Sequence, residues 1–464
     1  MDSKQKNIQH LFLRAAFGET PERIKALSSQ GIQVIVDDLI RDSTEYKEMA
    51  YLPYPLSEDQ EEKGVGGFQL VKMILKSKKD LEELNTEWIF KMKNTKAVLR
   101  EKMVFFWHNH FATSVSFAYL MQLQNNTIRK YALGKFSDLL KAIASDPAMI
   151  LYLNNQQNKK NSPNENFARE VMELFTLGIG NYTEKDVKEA ARAFTAWTVN
   201  SKGEFEFHPK QHDDGEKEFM GKKGNFNGED ILDILLQNKY TAVFVTEKIY
   251  KEFVNPNINP KHTQEMADMF FDSGYDIEKL MRHVFSSDWF YEEVNIGAKI
   301  SSPVELIVRY GKLLKIEFKE EKTLLNLQKA LGQVLFFPPN VAGWKGGNSW
   351  IDSTSLLLRL SLPDFILNRG EIALKAKPAF EAMDEAKEIR IKKGKVKSDW
   401  TLITKTFMDT PEDKLTDELS EFLLQLKNKK TNRSFLEVHE GLTKEEKIIA
   451  MAAQIMALPE FQMI

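Results

Sequence analysis

The chain has 464 residues, of which 42% are hydrophobic and 11% aromatic, so it is long enough to bury a large core. Its 64 lysines and arginines nearly balance its 67 aspartates and glutamates. The resulting net charge of −3 excludes bulk electrostatic attraction to nucleic acid or to an anionic membrane. Because the chain has no cysteine, disulfides, thiolate metal sites and a cysteine nucleophile are also excluded.

The N-terminal sequence MDSKQKNIQHLFLRAAFG gives no sign of export. It lacks the apolar run of about 7–15 residues that precedes the cleavage site of a signal peptide. No stretch of the chain reaches the roughly 18 consecutive apolar residues that a transmembrane helix needs. We therefore expect a soluble, cytoplasmic protein.

Apolar residues recur at helical spacing along most of the chain, as they do at Phe136, Leu139 and Ile143. This pattern predicts a mainly α-helical fold, with one large multi-helical domain over residues 1–365. The sequence then becomes more charged, and we expect residues 366–464 to form a looser helical C-terminal region.

Residues 199–228 depart from the helical pattern. Phe205 and Phe207 alternate with polar residues, and the glycines of this segment fall at turn spacing. We predict a small β-like insertion here, either a hairpin or an ordered loop.

The segment Asn161–Thr198 carries a dense set of helix signals. Ser162 is a good N-cap, and Glu165 completes a capping box with it, so one helix is predicted to begin there. Thr183 and Asp186 form a similar signal for the start of a second helix. The first helix is predicted to bury an apolar stripe made of Phe167, Val171, Leu174 and Phe175.

The same helix carries a polar stripe beside the apolar one. At about 100° per residue, Asn166, Glu170 and Glu173 fall within roughly 60° of one another. Two carboxylates three residues apart, close to the core side of a helix, are able to bind a cation or to shuttle protons. Alternatively, Glu173 pairs with Arg169 one turn earlier, and both side chains face water.

Two of the eight histidines lie in the segment MVFFWHNHFATS. If this segment is helical, His110 shares a face with Leu99, Met103 and Phe106, whereas His108 points about 200° away from it. His110 is then either a metal ligand or a hydrogen-bonded histidine of the core.

The predicted loop Gln211–Gly221 places His212 before two aspartates and a glycine. Side chains in such a loop are free to converge on a ligand. A His-Asp pair also serves as an ordinary turn or cap. Lys217 adds a cation that either holds an anionic group or pairs with Asp213.

Six phrases of the chain match, in order, phrases of a known family. They are HLFLRAAFGETP (His10–Pro21), FWHNHFATS (Phe106–Ser114), NENFAREVMELFTLGIGNYTEKDV (Asn164–Val187), ARAFTAWT (Ala191–Thr198), HDDGEKEFMG (His212–Gly221) and FFPPNVAGWKGG (Phe336–Gly347). Together they resemble the large bacterial family known as domain of unknown function 1800.

The resemblance implies a helical protein of a family with no established activity. Members of this family are often exported, and they are often encoded beside a second family that resembles sulfatases and alkaline phosphatases. The resemblance therefore implies a protein of that second kind as a partner. This chain departs from the family at Phe175, where many relatives carry histidine, and at Asp213-Asp214, where Glu-Pro or Asp-Pro is frequent.

Two functional hypotheses follow. The first is a metal-dependent hydrolase or oxidoreductase that uses a divalent metal. The second is a non-catalytic helical scaffold for a sulfatase-like or phosphatase-like partner. In the first hypothesis the metal ligands are His110, Glu170 and His212, and the catalytic residues are Glu173, Arg169 and Lys217. For one ion to be shared, the side chains of the three ligands should lie within about 10 Å of one another.

Overall fold

The computed structural model describes most of the chain. The described residues are 1–55, 67–367, 372–374, 389–391, 395–424 and 441–464. For residues 67–75, 372–374 and 389–391 the description covers the backbone.

Helices dominate this part of the chain, which confirms the prediction of a mainly α-helical fold. The α-helices, labelled α1 to α20 in chain order, are Ser3–Ala16, Pro21–Leu27, Ile32–Asp42, Gly67–Asn94, Val98–His110, Ala118–Tyr131, Phe136–Ala144, Pro147–Tyr152, Asn166–Glu170, Glu184–Ala193, Gly228–Gln237, Lys239–Phe253, Pro260–Asp272, Ile277–Ser286, Pro303–Leu314, Glu321–Leu331, Ser353–Ile366, Thr401–Phe407, Glu412–Leu423 and Lys444–Met456.

The strands of the described residues are short and pair in antiparallel twos. In chain order, β1 to β8 are Trp197–Val199, Phe205–Phe207, Lys217–Phe219, Lys222–Gly224, Glu317–Phe318, Ile372–Leu374, Ile389–Ile391 and Val396–Lys397. The pairs are β1 with β2, β3 with β4, β5 with β8, and β6 with β7. The first two pairs confirm the small β-like insertion predicted near residues 199–228.

Capping residues fix where several helices begin. The predicted pair of Thr183 and Asp186 forms a complete capping box at α10, in which each side chain accepts a hydrogen bond from the other residue's backbone N–H. The same arrangement of Ser302 and Glu305 opens α15. Each box satisfies N–H groups that a helix start would otherwise leave without a partner.

The predicted start of α9 was wrong. The helix begins at Asn166, and its N-cap residue, Glu165, makes no capping hydrogen bond. The side chain of Asn164 instead accepts a hydrogen bond from Asn166 N–H at 3.0 Å. The backbone N–H of Asn164 in turn donates to the side chain of Asn158 at 2.9 Å. This tie to the preceding turn displaces the helix start beyond Ser162.

One large cluster of buried apolar side chains joins the two ends of the chain. It contains Ile8 of α1 together with Trp400, Ile403 and Ile455 from the C-terminal part. α18 packs against α2 and α15, and α20 packs against α17. The division at residues 365 and 366 stays a prediction. Among the described residues, no helix is both long enough and apolar enough to cross a membrane.

Candidate functional site

A π-helical turn, Val171–Thr176, continues α9 and carries the predicted carboxylates. Leu177 N–H donates to the carbonyl of Met172 at 2.8 Å, so the hydrogen-bonded ring spans five residues instead of four. The hydroxyl of Thr176 donates to the carbonyl of Val171 at 2.6 Å and satisfies a carbonyl inside the wide turn. π-turns within α-helices are frequent at functional sites, because they change the direction in which side chains project.

Glu170 and Glu173 are both partly buried and lie in different surroundings. Glu173 accepts a hydrogen bond from the hydroxyl of Tyr182. Among the described residues no group donates to the carboxylate of Glu170. Burial, and secondarily the charge of Glu173, raise the pKa of Glu170. Burial and then the charge of Glu170 raise the pKa of Tyr152, which places that ring beside the pair. We call Glu170 and Glu173 the carboxylate pair.

Arg169 does not pair with Glu173, so the alternative drawn from their spacing was wrong. Its guanidinium donates to both carboxylate oxygens of Glu184, each at 2.8 Å. It also donates to Glu165 at 3.2 Å. Glu184 lies in the first turn of α10 and offers the two-oxygen geometry that a guanidinium prefers. Arg169 therefore ties α9 to α10 beside the carboxylate pair.

His110 lies in the core at the end of α5, behind the π-turn. Its Nε2 lies 3.1 Å from the carbonyl oxygen of Phe175, and its Nδ1 lies 3.3 Å from Nζ of Lys248. Burial and the charge of Lys248 hold the pKa of His110 well below its ordinary value. A neutral ring with a proton on Nε2 donates to the carbonyl and accepts from the lysine. Neither nitrogen is then free for a metal, and this ring does not fit the ligand hypothesis.

Lys248 is a residue that the sequence reasoning missed. Its ammonium donates to the carbonyl of Leu174 at 2.8 Å and lies 4.5 Å from the centre of the Phe244 ring. Burial, with a smaller effect of Lys251, lowers the pKa of Lys248 to about 7. The four-residue spacing from Phe244 could have placed Lys248 on the inner face of α12. Nothing in the sequence pairs it with His110.

His212 and Lys217 belong to the hairpin insertion. His212 Nδ1 lies 3.1 Å from both the carbonyl and the hydroxyl oxygen of Thr195. Lys217 Nζ donates to the backbone carbonyls of Asp213 and Gly215, and burial lowers its pKa. The Asp213 carboxylate instead binds Arg192, with a shortest distance of 2.7 Å. These bonds hold the loop in shape.

The predicted metal site is not assembled by these contacts. In the part of the chain that the structure describes, no three or more histidine, cysteine, aspartate or glutamate side chains form a group able to hold a metal ion. His110, Glu170 and His212 each have separate surroundings. What the geometry brings together is the carboxylate pair, Tyr182 and Arg169, with Lys248 and His110 behind them.

Comparison with known proteins supplies a family. The model of the family described as "Protein of unknown function (DUF1800)" matches residues 10–463, which is nearly the whole chain. The chain therefore belongs to this family, as its six phrases suggested. No curated protein and no solved structure matches it.

Proposed function

We propose that the protein is a hydrolase that works by acid–base catalysis at the carboxylate pair. The observation that carries this proposal is the difference in environment between Glu170 and Glu173. Hydrolysis needs one group that takes a proton from water and another that gives a proton to the leaving group. Neighbouring carboxyls that lie in different surroundings are suited to these two roles.

In this proposal Glu170 is the general acid. Its raised pKa, caused first by burial and then by the charge of Glu173, keeps its proton to a higher pH than an ordinary glutamate would. Glu173 is the general base and is held in position by the hydroxyl of Tyr182. Water attacks the substrate while Glu173 accepts its proton, and Glu170 protonates the group that leaves.

Arg169 and Lys217 have other tasks in this proposal. Arg169 positions the helix that carries the pair through its contacts with Glu165 and Glu184. Lys217, bonded to backbone carbonyls of its own loop, shapes the insertion. A divalent metal enters the proposal only if Glu170 and Glu173 bind it without His110, because both ring nitrogens of that histidine have partners.

The test is a panel of p-nitrophenyl esters, phosphates, sulfates and glycosides. We expect hydrolysis of at least one class, and a loss of about 100-fold to 10,000-fold in kcat for Glu170→Gln and for Glu173→Gln. Glu229→Gln, an exposed substitution on α11, is the control and should keep full activity. The rate of the wild-type protein should fall as the pH rises through the pKa of Glu170, and Glu170→Gln should lack this dependence.

Two results separate the versions of this proposal. If a chelator abolishes the activity and a divalent cation restores it, a metal takes part at the carboxylate pair. If no substrate class is hydrolysed, or if both glutamine variants keep full activity, the carboxylate pair is not a catalytic site.

A second candidate is a non-catalytic module that supports a sulfatase-like or phosphatase-like partner. Its support is Ile179, whose side chain is 81% exposed on the turn between Gly178 and Gly180. Both glycines have positive φ angles, which glycine adopts more readily than other residues, and the turn leaves this apolar side chain facing solvent. If this candidate is correct, such a partner copurifies with the wild-type protein and is lost in Ile179→Ser.

A further inference from the structure

A group of buried cations surrounds Glu305 at the start of α15. The carboxylate of Glu305 accepts hydrogen bonds from Lys102, from Lys299 at 2.8 Å and from the backbone N–H of Ser302 at 2.7 Å. Glu252 lies 3.5 Å from Lys102 and contacts Lys299 as well. The two carboxylates are therefore already matched by two lysines.

The charge of Glu305 also acts on two further buried cations. Arg14 and Arg359 are both 0% exposed, and the charge of Glu305 acts on each of them. Neither makes an ion pair with a carboxylate in the described part of the chain. Arg14 donates one hydrogen bond, to the carbonyl of Asn295 at 3.0 Å. Two positive charges thus remain in excess around Glu305.

The same region holds polar atoms without partners. Arg14 Nε and Nη1, and Arg359 Nε and Nη2, are buried and have no hydrogen-bond partner among the described residues. Three other side chains share this property. We call the five together the buried donor cluster, and its unpartnered atoms outside the arginines are Ser301 Oγ, Tyr310 O–H and Gln462 Nε2.

Hydrogen bonds and charge interactions link members of the buried donor cluster. Arg359 donates to the side-chain oxygen of Gln462 at 3.2 Å. The backbone N–H of Ser301 donates to the carbonyl of the same glutamine at 2.8 Å. Arg359 and Tyr310 act on each other electrostatically, and the charge of Glu305 acts on both Arg359 and Arg14. Arg359, Gln462, Ser301 and Tyr310 are therefore neighbours, and Arg14 lies near the same carboxylate, Glu305.

Burying the charge of an arginine without a negative partner costs free energy that the side chain is unable to reduce. A buried lysine lowers the cost of its charge by losing its proton, but a guanidinium keeps its proton at any ordinary pH. Burial lowers the pKa of Arg14 and of Arg359 to about 10, so both stay charged at neutral pH. Water molecules satisfy donors but do not balance charge, whereas an anion does both.

We propose that the buried donor cluster binds one small oxyanion, of the size of phosphate or sulfate. A tetrahedral oxyanion has several acceptor oxygens, which match the forked N–H groups of two arginines together with hydroxyl and amide donors. The cluster side chains are at most 3% exposed, so the ligand is small. This site uses other residues than the carboxylate pair, so the oxyanion proposal does not depend on the hydrolase proposal.

The first test measures the anion directly. The full-length protein is purified in chloride buffer and denatured, and the released anions are measured by ion chromatography. We expect about one phosphate or sulfate per chain. If the bound oxyanion is lost during purification in chloride buffer, we expect added phosphate or sulfate to restore it. Either anion should then raise the unfolding midpoint by several degrees relative to chloride at equal ionic strength. An absence of bound oxyanion together with equal stabilisation by chloride would overturn the proposal.

The second test assigns the anion to these residues. Arg359→Lys removes the guanidinium fork and keeps a charge, and Ser301→Ala and Tyr310→Phe each remove one hydroxyl with little change in shape. We expect Arg359→Lys to abolish the oxyanion effect and the other two variants to weaken binding by about 10-fold each. Arg23→Met, at an exposed position, should behave as the wild type. If all three cluster variants keep wild-type binding, the anion lies elsewhere and the proposal fails.

Discussion

The carboxylate pair and the buried donor cluster each contain two side chains of like charge, but they differ in contact with solvent. Glu170 and Glu173 are partly exposed, and the pKa of Glu170 rises because of burial and the neighbouring charge. Arg14 and Arg359 are fully buried and keep their charge. Glu170 responds by keeping its proton to a higher pH than an ordinary glutamate, whereas the two guanidiniums stay charged at neutral pH.

Lys248 shares burial with the arginines and the ability to change its protonation state with the carboxylates. It is largely buried and bonded to a carbonyl and an imidazole, with no carboxylate beside it in the described residues. Its pKa falls to about 7, since a lysine is able to give up its proton. The contrast indicates that residue type, as well as burial, decides whether a buried cation without a carboxylate partner keeps its charge at neutral pH.

The largest effect should come from removing the carboxylate shared by the buried lysines. Glu305→Gln leaves Lys102 and Lys299 with less negative charge beside them and adds to the excess around the buried donor cluster. We expect a loss of about 3–5 kcal/mol in the free energy of unfolding, measured by chemical denaturation. Glu48→Gln, at an exposed position, should change stability by less than about 0.5 kcal/mol. A similarly small change for Glu305→Gln would show that the cations are compensated in another way.

The pH dependence of the wild-type protein sharpens this prediction. Burial alone would raise the pKa of Glu305, but Lys102 and Lys299 outweigh it and hold the pKa well below its ordinary value. A carboxyl with a lowered folded-state pKa stabilises the protein above its unfolded-state pKa, and this stability is lost as the pH falls. The wild-type protein should lose stability below about pH 4, and Glu305→Gln should lose less. Equal losses would contradict the assignment to Glu305.

An intermediate effect is expected at Lys248. Because its pKa is lower in the folded state, the unfolded chain binds more protons between pH 7 and the ordinary lysine pKa. Stability should therefore rise with pH in that range, by on the order of 2 kcal/mol between pH 7 and pH 9. Chemical denaturation at a series of pH values tests this, and Lys248→Met should flatten the rise. Lys251→Met, one turn farther along α12, should retain it. A flat profile in the wild type would refute the prediction.

The sequence predicted the parts of the site that depend on local signals. The capping box of Thr183 and Asp186, the burial of Phe167 and Phe175, and the hairpin insertion all depend on residues a few positions apart. The partner of Arg169 did not follow from spacing. Glu184 lies fifteen residues further on, and the connecting turn decides that it approaches with both oxygens.

The features that were missed depend on contacts distant in sequence. The carbonyls at the end of the π-turn are bound by His110 and Lys248, which come from two other helices. Arg14 and Arg359 resemble ordinary surface arginines in a single sequence. Both are buried beside residues distant in sequence, Asn295 for Arg14 and Gln462 for Arg359, which periodicity does not reveal.

The smallest effect should come from the carboxylate pair itself. The folded state holds the proton of Glu170 more tightly than the unfolded chain, so the charge of this residue opposes folding at neutral pH. Glu170→Gln should therefore stabilise the protein at pH 7 by about 0.2–0.5 kcal/mol, the usual size of a like-charge interaction on a helix. The gain should disappear below about pH 4, where Glu170 is protonated in both states. Glu165→Gln is the matched variant on the same segment, and it should lose a little stability because Glu165 pairs with Arg169. If both substitutions change stability in the same direction, the two carboxylates do not repel each other, and the contrast with the buried arginines does not hold.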